Sequence, residues 1–178
     1  ISPDELNWDS IGIGNLYDFL ELNNTRAFIV LKDGKIVLEN YWGNNILNTA
    51  PFDRNSNWYW ASAGKTLTAL MVGIAQEDRL LSIEDSSAIY LGNGWTSLTA
   101  EQEGLIKIKH QLTMTTGLDY QVVNLNCTDP DCLSYKNTPG TNWFYHNATY
   151  SLLKYVIENA TETSYNEFTN QKLKIKIG

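Results

Sequence analysis

No run of apolar residues in this 178-residue chain approaches the roughly 20 needed to cross a bilayer, so the chain as given holds no transmembrane segment. Positive charge is also scarce. Lys and Arg number 13 against 20 Asp and Glu, a net charge of −7, which argues against a nucleic-acid partner. The few basic clusters, such as Lys172, Lys174 and Lys176, look like an ordinary solvated helix face. Cysteine is limited to Cys127 and Cys132, and histidine to His110 and His146. A zinc site would need two further ligands near the cysteines, and neither histidine stands at ligand spacing from them, so no metal and no cofactor is expected. The cysteines bracket Thr-Asp-Pro-Asp in a loop-like stretch. A local disulfide, and with it an oxidising compartment, periplasmic or secreted, is the expectation. The chain opens at Ile1 rather than methionine, which fits either removal of a signal peptide or trimming.

What is present suffices for an ordinary globular core: 43% of the residues are hydrophobic, with no low-complexity tract and no internal repeat. The pattern predicts a helix over Trp8 to Leu22. Two β-rich runs follow, Ala27 to Leu31 and Ile36 to Tyr41, around Asp33-Gly34, a strong hairpin signal. An Asn-rich loop from Gly43 to Asn57 leads into Trp58-Tyr59-Trp60. Beyond it the chain reads as mainly helical with many breaks. Ser82-x-x-Asp85, Thr99-x-x-Gln102 and Ser164-x-x-Glu167 each have the form of a capping box before a short helix. The expected organisation is residues 1–45 as an N-terminal helix and hairpin, and residues 46–178 as a mainly helical region carrying the chemistry.

That chemistry begins at Trp60-Ala61-Ser62-Ala63-Gly64-Lys65, which opens a run of apolar residues from Leu67 to Ala75. Positions i and i+3 of a helix share a face, with Cβ atoms roughly 5 to 6 Å apart, so Lys65 can reach the Ser62 hydroxyl. Burial near the positive end of a helix disfavours an ammonium, which makes such a lysine usable as a base. A serine at a helix start also offers a free backbone N–H to an oxyanion. The pattern alone is weak. Ser-x-x-Lys is expected about once by chance in a chain of this composition, and it recurs at Ser151-Leu152-Leu153-Lys154, mid-helix, where a structural serine is the reading. For Ser62 the alternative is a first-turn cap beside a solvated lysine.

Tyr145-His146-Asn147, after Pro139-Gly140, is the second candidate. A phenol near a lysine can shuttle protons, and an asparagine amide both donates and accepts. Tyr-x-Asn also occurs at Tyr135-Lys136-Asn137, so again the motif alone decides little. A Ser-His-Asp arrangement using His110 or His146 is disfavoured because Ser62 lacks a Gly-x-Ser-x-Gly elbow. Trp58, Trp60 and Trp143 are either core residues or walls of an apolar acyl pocket.

Taken in order, these motifs resemble the serine β-lactamase and penicillin-binding-protein superfamily, in its class C β-lactamase, D-alanyl-D-alanine carboxypeptidase and esterase branch. Ser62-x-x-Lys65 is similar to its first motif and Tyr145-His146-Asn147 to its second. Ile106 to Leu118 resembles the stretch that follows the nucleophile helix, and the N-terminal helix, the hairpin and the closing Leu173 to Gly178 also fit. The resemblance implies an α/β (α+β) fold of β-lactamase/transpeptidase type. It further implies Ser62 as acylated nucleophile, Lys65 as its activator, Tyr145 as proton relay and Asn147 as the group orienting Lys65 and the substrate. One departure stands out. After Tyr145 the sequence has no Lys-Thr-Gly, Lys-Ser-Gly or His-x-Gly, the third motif of the family, which is borne on a later sheet strand. The chain therefore resembles the N-terminal half of a hydrolase, with the remaining strands expected from a second chain or a cleaved continuation. Two functions stay open: a serine hydrolase acting on a small-molecule or peptide acyl substrate (ester, amide or β-lactam), and a non-catalytic binding or assembly module.

Overall fold

A computed structural model describes residues 1–177, and the chain divides into two compact units, Ile1–Trp60 and Ala61–Gly178. In the first unit, helix α1 spans Ser10–Leu22 and is capped by the Asp9 carboxylate, which accepts from the Ile11 N–H at 3.0 Å. Strands β1 (Ala27–Lys32) and β2 (Lys35–Tyr41) pair antiparallel, with a bulge after Val30. The turn between them places Asp33 and Gly34 both at positive φ, 52° and 72°, the backbone twist that a two-residue hairpin requires. Among the described residues the sheet has only these two strands.

The buried apolar side chains of this unit are Val37, Leu38, Trp42 and Phe52. Tyr17 meets Trp42 edge-on at 5.7 Å, and Phe52 does the same with Trp58. Gly43 stands at φ 68°, where an L side chain is strained, and a Cβ there would also push aside the Arg26 guanidinium that covers Trp58. Ile29, Leu31 and Ile36 on the hairpin, with Ile11, Phe19 and Leu22 on α1, remain exposed.

The second unit is helical: α2 (Gly64–Glu77), α3 (Ala88–Leu91), α4 (Ala100–Gly104), α5 (Ile108–Leu112), α6 (Asn147–Ser151), α7 (Leu153–Thr161) and α8 (Tyr165–Thr169). A π turn over Asn170–Lys174 and α9 (Ile175–Ile177) follow; the last residue of the expected closing segment, Gly178, lies outside the described residues. Met71, Val72 and Ala75 of α2 and Leu153, Val156 and Ile157 of α7 follow helical spacing and bury completely in one cluster with Ile108. Each of these side chains except Ala75 contributes about 1.5–3 kcal/mol by leaving water. A second cluster gathers Trp95, Ile106, Leu118, Leu133, Ala148 and Leu152.

Of the three expected capping boxes, Thr99 forms a complete one with Gln102, and Ser164 accepts from the Glu167 N–H. Ser82 instead opens a turn. Its N–H donates to the Asp85 carboxylate at 2.8 Å, and that carboxylate also accepts from Tyr90 Oη at 2.7 Å, so Asp85 folds the chain back rather than starting a helix. Among the described residues Glu103 is the one buried carboxylate, and it accepts from Gly94 N–H, Thr96 N–H and Thr96 Oγ1–H at 2.9, 2.9 and 2.7 Å, which compensates its loss of water. Cys127 and Cys132 are joined as a disulfide.

Candidate active site

Ser62 lies in a single 3₁₀ turn, Ala61–Ala63, that runs directly into α2. In such an opening turn backbone N–H groups lack intrahelical acceptors. Ala61 enters it at φ 45°, a left-handed conformation that costs an L-residue roughly 1–2 kcal/mol. Strain of this size persists only where the surroundings enforce it. The serine is exposed and does not cap α2, whose N-cap position is Ala63 and carries no side-chain cap.

Lys65, one turn on, is half-buried rather than solvated. Its ammonium donates to Ser62 Oγ at 3.3 Å and to Asn147 Oδ1 at 2.9 Å. It also lies 5.1 Å from the centre of the Tyr145 ring and 5.7 Å from that of Tyr150. Hydrogen bonding from Ser62, then from Lys65, holds the Tyr145 phenol below its ordinary pKa, with the lysine charge adding to the effect. The side chains of Ser62, Lys65, Tyr145 and Asn147 therefore converge across more than 80 residues of sequence, all within the helical unit.

The second motif is held by the stretch that precedes it in the chain. Gly140 N–H donates to Thr115 O at 2.7 Å and Phe144 N–H to Met114 O at 3.0 Å. The Phe144 ring stacks on Tyr120 at 3.9 Å, and Lys136 Nζ lies 4.2 Å from the centre of the Tyr120 ring while pairing with Asp119 at 2.8 Å. Gly117, at φ 76°, is the residue over which the segment carrying Asn137 passes; a Cβ there would collide with the Asn137 carbonyl. Asn147 opens α6, which is fixed by Ala148 N–H to Leu125 O at 2.8 Å. The buried Gln111 amide adds a second tie, donating to Thr149 O at 2.7 Å while accepting from Ser87 Oγ.

The duplicate motifs have structural partners elsewhere. Ser151 Oγ donates back to Asn147 O at 2.9 Å, a common helical contact, and Lys154 faces Glu158 at 3.9 Å. Lys136 and Asn137 donate their N–H groups to Gly117 O. The histidines are likewise engaged away from Ser62. His146 is buried with Nε2 3.3 Å from Asp119 O, and His110 Nδ1 accepts from Lys107 N–H. Burial holds both imidazoles below their ordinary pKa. Trp60 and Trp143 are both about two-thirds exposed, so neither is a core residue of its unit. Tyr150 was missed by motif reading. Its signal in the sequence is its position three residues after Asn147 on the same helix, which places both on one face.

A family model described as Beta-lactamase matches residues 25–174. Among curated proteins, Protein flp of Staphylococcus aureus (strain NCTC 8325 / PS 47) is 26% identical over 168 residues, a match covering 83% of this chain and 32% of that protein. The fold is similar to that of the octameric penicillin-binding protein homologue from Pyrococcus abyssi, with a TM-score of 0.70 at 20% identity, covering 90% of this chain and 42% of that one. It is also similar to D-alanine carboxypeptidase AmpC from Burkholderia cenocepacia, with a TM-score of 0.65 at 24% identity over 85% and 42% of the two chains. The chain thus spans about a third of the length of the curated relatives it matches. These likenesses bear out an α+β fold of β-lactamase/transpeptidase type.

Proposed function

This chain belongs to the beta-lactamase family, whose members are commonly serine hydrolases, and from that premise we propose that it carries the acylating site of a serine hydrolase. The observation that carries this reading is the Lys65 ammonium, bonded at once to Ser62 Oγ at 3.3 Å and Asn147 Oδ1 at 2.9 Å beside the Tyr145 phenol. A scaffold has no need of that convergence. In the proposed reaction Ser62 Oγ forms a bond to the substrate carbonyl carbon while its proton passes to the Tyr145 and Lys65 pair. The Ser62 N–H supports the developing oxyanion, a donor worth about 3–4 kcal/mol in comparable sites. The same proton then protonates the departing alkoxide or amine as its bond to the carbonyl carbon breaks. Water hydrolyses the resulting serine ester and restores Ser62. Because Asn147 turns Oδ1 toward Lys65, its Nδ2–H₂ group is the donor offered to a substrate carbonyl.

Activated esters are the substrates that demand least of such a site; the family resemblance extends the candidates to β-lactams and D-amino-acid peptides. The two-stranded sheet, with apolar Ile29, Leu31 and Ile36 exposed, supports a sheet completed by further strands from a second polypeptide or a continuation of the chain. On this reading the 178-residue chain acylates but turns over poorly. The Cys127–Cys132 disulfide supports an oxidising, periplasmic or secreted location.

Treatment with a fluorophosphonate or penicillin followed by intact-mass measurement tests the proposal. A single covalent adduct is expected, mapping to Ser62 and absent from Ser62→Ala. Equal labelling of parent and Ser62→Ala removes Ser62 from the chemistry, and no labelling of the parent favours a binding or assembly module.

A further inference from the structure

Lys65 is gripped at two ends from one helix, and the second grip belongs to a residue outside both motifs. Asn147 of α6 takes the ammonium. Tyr150, three residues later on the same face, donates its hydroxyl to the Lys65 backbone carbonyl at 2.9 Å while its ring lies 5.7 Å from Nζ. Tyr150 is 7% exposed. Burying a phenol there rather than a phenyl ring carries a desolvation cost that only the hydrogen bond offsets.

Fold stability does not require that bond. Lys65 lies in the first turn of α2, where its carbonyl accepts along the helix through one lone pair and takes the Tyr150 hydroxyl through the other. Removing the hydroxyl leaves no buried acceptor without a partner. What is lost is the fixed position of the α2 opening turn against α6. A head tether alone lets the turn that carries Ser62 shift, and a backbone tether alone leaves a side chain of four rotatable bonds free. Together, from residues one helical turn apart, the two set both the lysine and the serine beside it. Helix α6 is rigid enough to serve as the reference because Gln111 and Leu125 anchor it from behind.

We propose that Tyr150 is a positioning residue for the Ser62–Lys65 pair, acting through the Lys65 carbonyl to hold the nucleophile in register with Asn147. This rests on the hydrolase reading for its catalytic consequence but on geometry alone for the hold itself. Displacement of a reacting group by about 1 Å costs on the order of 10²-fold in rate, and loss of one neutral hydrogen bond part of that, roughly five- to tenfold.

The test compares Tyr150→Phe with Tyr165→Phe in the full chain. Tyr165, on α8, meets α2 at Thr68 Oγ1, 3.3 Å away, without touching Lys65, so its variant loses a similar hydroxyl contact to α2 and is expected to match the parent. For Tyr150→Phe, the rate constant of Ser62 labelling by a fluorophosphonate falls about five- to tenfold, while the final extent of labelling and the melting temperature stay at parental values. A reduced extent at unchanged rate constant signals partial misfolding and overturns the proposal, as does an unchanged rate in a labelled parent. Hydrogen exchange of the backbone amides of residues 67–69, the first of α2 to bond back onto the turn that carries Lys65, gives a readout independent of reactivity. It accelerates several-fold in Tyr150→Phe and not in Tyr165→Phe. Unchanged exchange overturns the proposal whether or not the parent is labelled, and absence of labelling from a parent whose exchange responds as expected rejects the hydrolase reading while keeping the hold on Lys65.

Discussion

Replacing Lys65 with methionine removes the ammonium but keeps an unbranched stem between the Tyr145 and Tyr150 rings. Three effects follow from the distances. Ser62 Oγ loses the cation 3.3 Å away, so nothing of opposite charge supports its deprotonation. Asn147 Oδ1 loses a charge-assisted bond at 2.9 Å. Such bonds are worth about 1.5–3 kcal/mol, but water reaches this half-buried amide, so the stability loss is held to about 1 kcal/mol. Tyr145 loses one of the two hydrogen-bonding groups, after Ser62, that lower its pKa, together with the lysine charge. A positioned proton-transfer group typically contributes 10² to 10⁴ in rate, so labelling of Ser62 should slow by at least about 10²-fold, equivalent to about 2.7 kcal/mol. The rate loss therefore exceeds the stability loss, which separates chemistry from folding. Time-resolved intact mass gives the first quantity, urea unfolding the second. With ¹³C-labelled tyrosine, the Tyr145 resonance should titrate at higher pH in Lys65→Met than in the parent. Labelling within tenfold of the parental rate, or an unmoved Tyr145 titration, refutes the role given to Lys65.

Other perturbations probe the frame around the site. His146 is buried, and its imidazole is held below the ordinary value by that burial, so the neutral form stabilises the fold fully above pH about 6.5; the contribution is lost as pH falls from there through the lower folded-state value. The urea midpoint should drop between pH 7 and 5, and the drop should shrink in His146→Gln without vanishing, since His110 is shifted in the same direction. Leu153→Ala opens the α2–α7 core at a fully buried position and should cost about 2–5 kcal/mol in the same urea assay. Glu103→Gln turns one acceptor into a donor facing the N–H of Gly94 or Thr96, with an expected loss of about 1.5–3 kcal/mol; a midpoint equal to the parent's contradicts the buried-carboxylate account.

The legible parts of the sequence are those where a local rule has one physical solution. Asp33-Gly34 marks the hairpin because both residues must take positive φ, and Thr99 with Gln102 caps α4 because the two side chains satisfy each other's neighbouring backbone groups. Ser62 and Lys65 could be placed on one face from spacing alone. Their convergence with Tyr145 and Asn147 could not, because it depends on the packing of α2 against later elements, which the resemblance supplied and periodicity did not. The 3₁₀ turn at Ser62 was hidden for a related reason: it follows from Ala61 at φ 45°, and alanine carries no signal for that conformation. Ser82 misled because Asp85 does reach back to the Ser82 N–H, as the capping pattern asks, while Ser82 Oγ accepts from the Glu84 N–H and the segment stays a turn. Tyr150 was silent because one tyrosine among 10 has no distinguishing context until its hydroxyl is seen on Lys65 O.

The hairpin makes a demand on the chain that the helical unit does not. In a two-stranded antiparallel sheet each strand keeps one unpaired edge, and here the same hairpin exposes Ile29, Leu31 and Ile36, with Leu31 at 61%. Unpaired edge groups beside exposed β-branched and leucine side chains form a template for pairing with another strand, and a charge at such a position opposes it. Leu31 pairs with Ile36 directly across the ladder, after the bulge, so Leu31→Lys puts a cation in the middle of this surface and next to Lys32 and Lys35. Self-association of the chain, followed by light scattering at increasing concentration, should be weaker in Leu31→Lys. The labelling rate of Ser62 should not change, since Ser62, Lys65, Tyr145 and Asn147 all belong to the helical unit. Equal scattering by the two proteins would mean that the hairpin edge is not what drives association, and would withdraw the support that this edge lends to completion of the sheet by further strands.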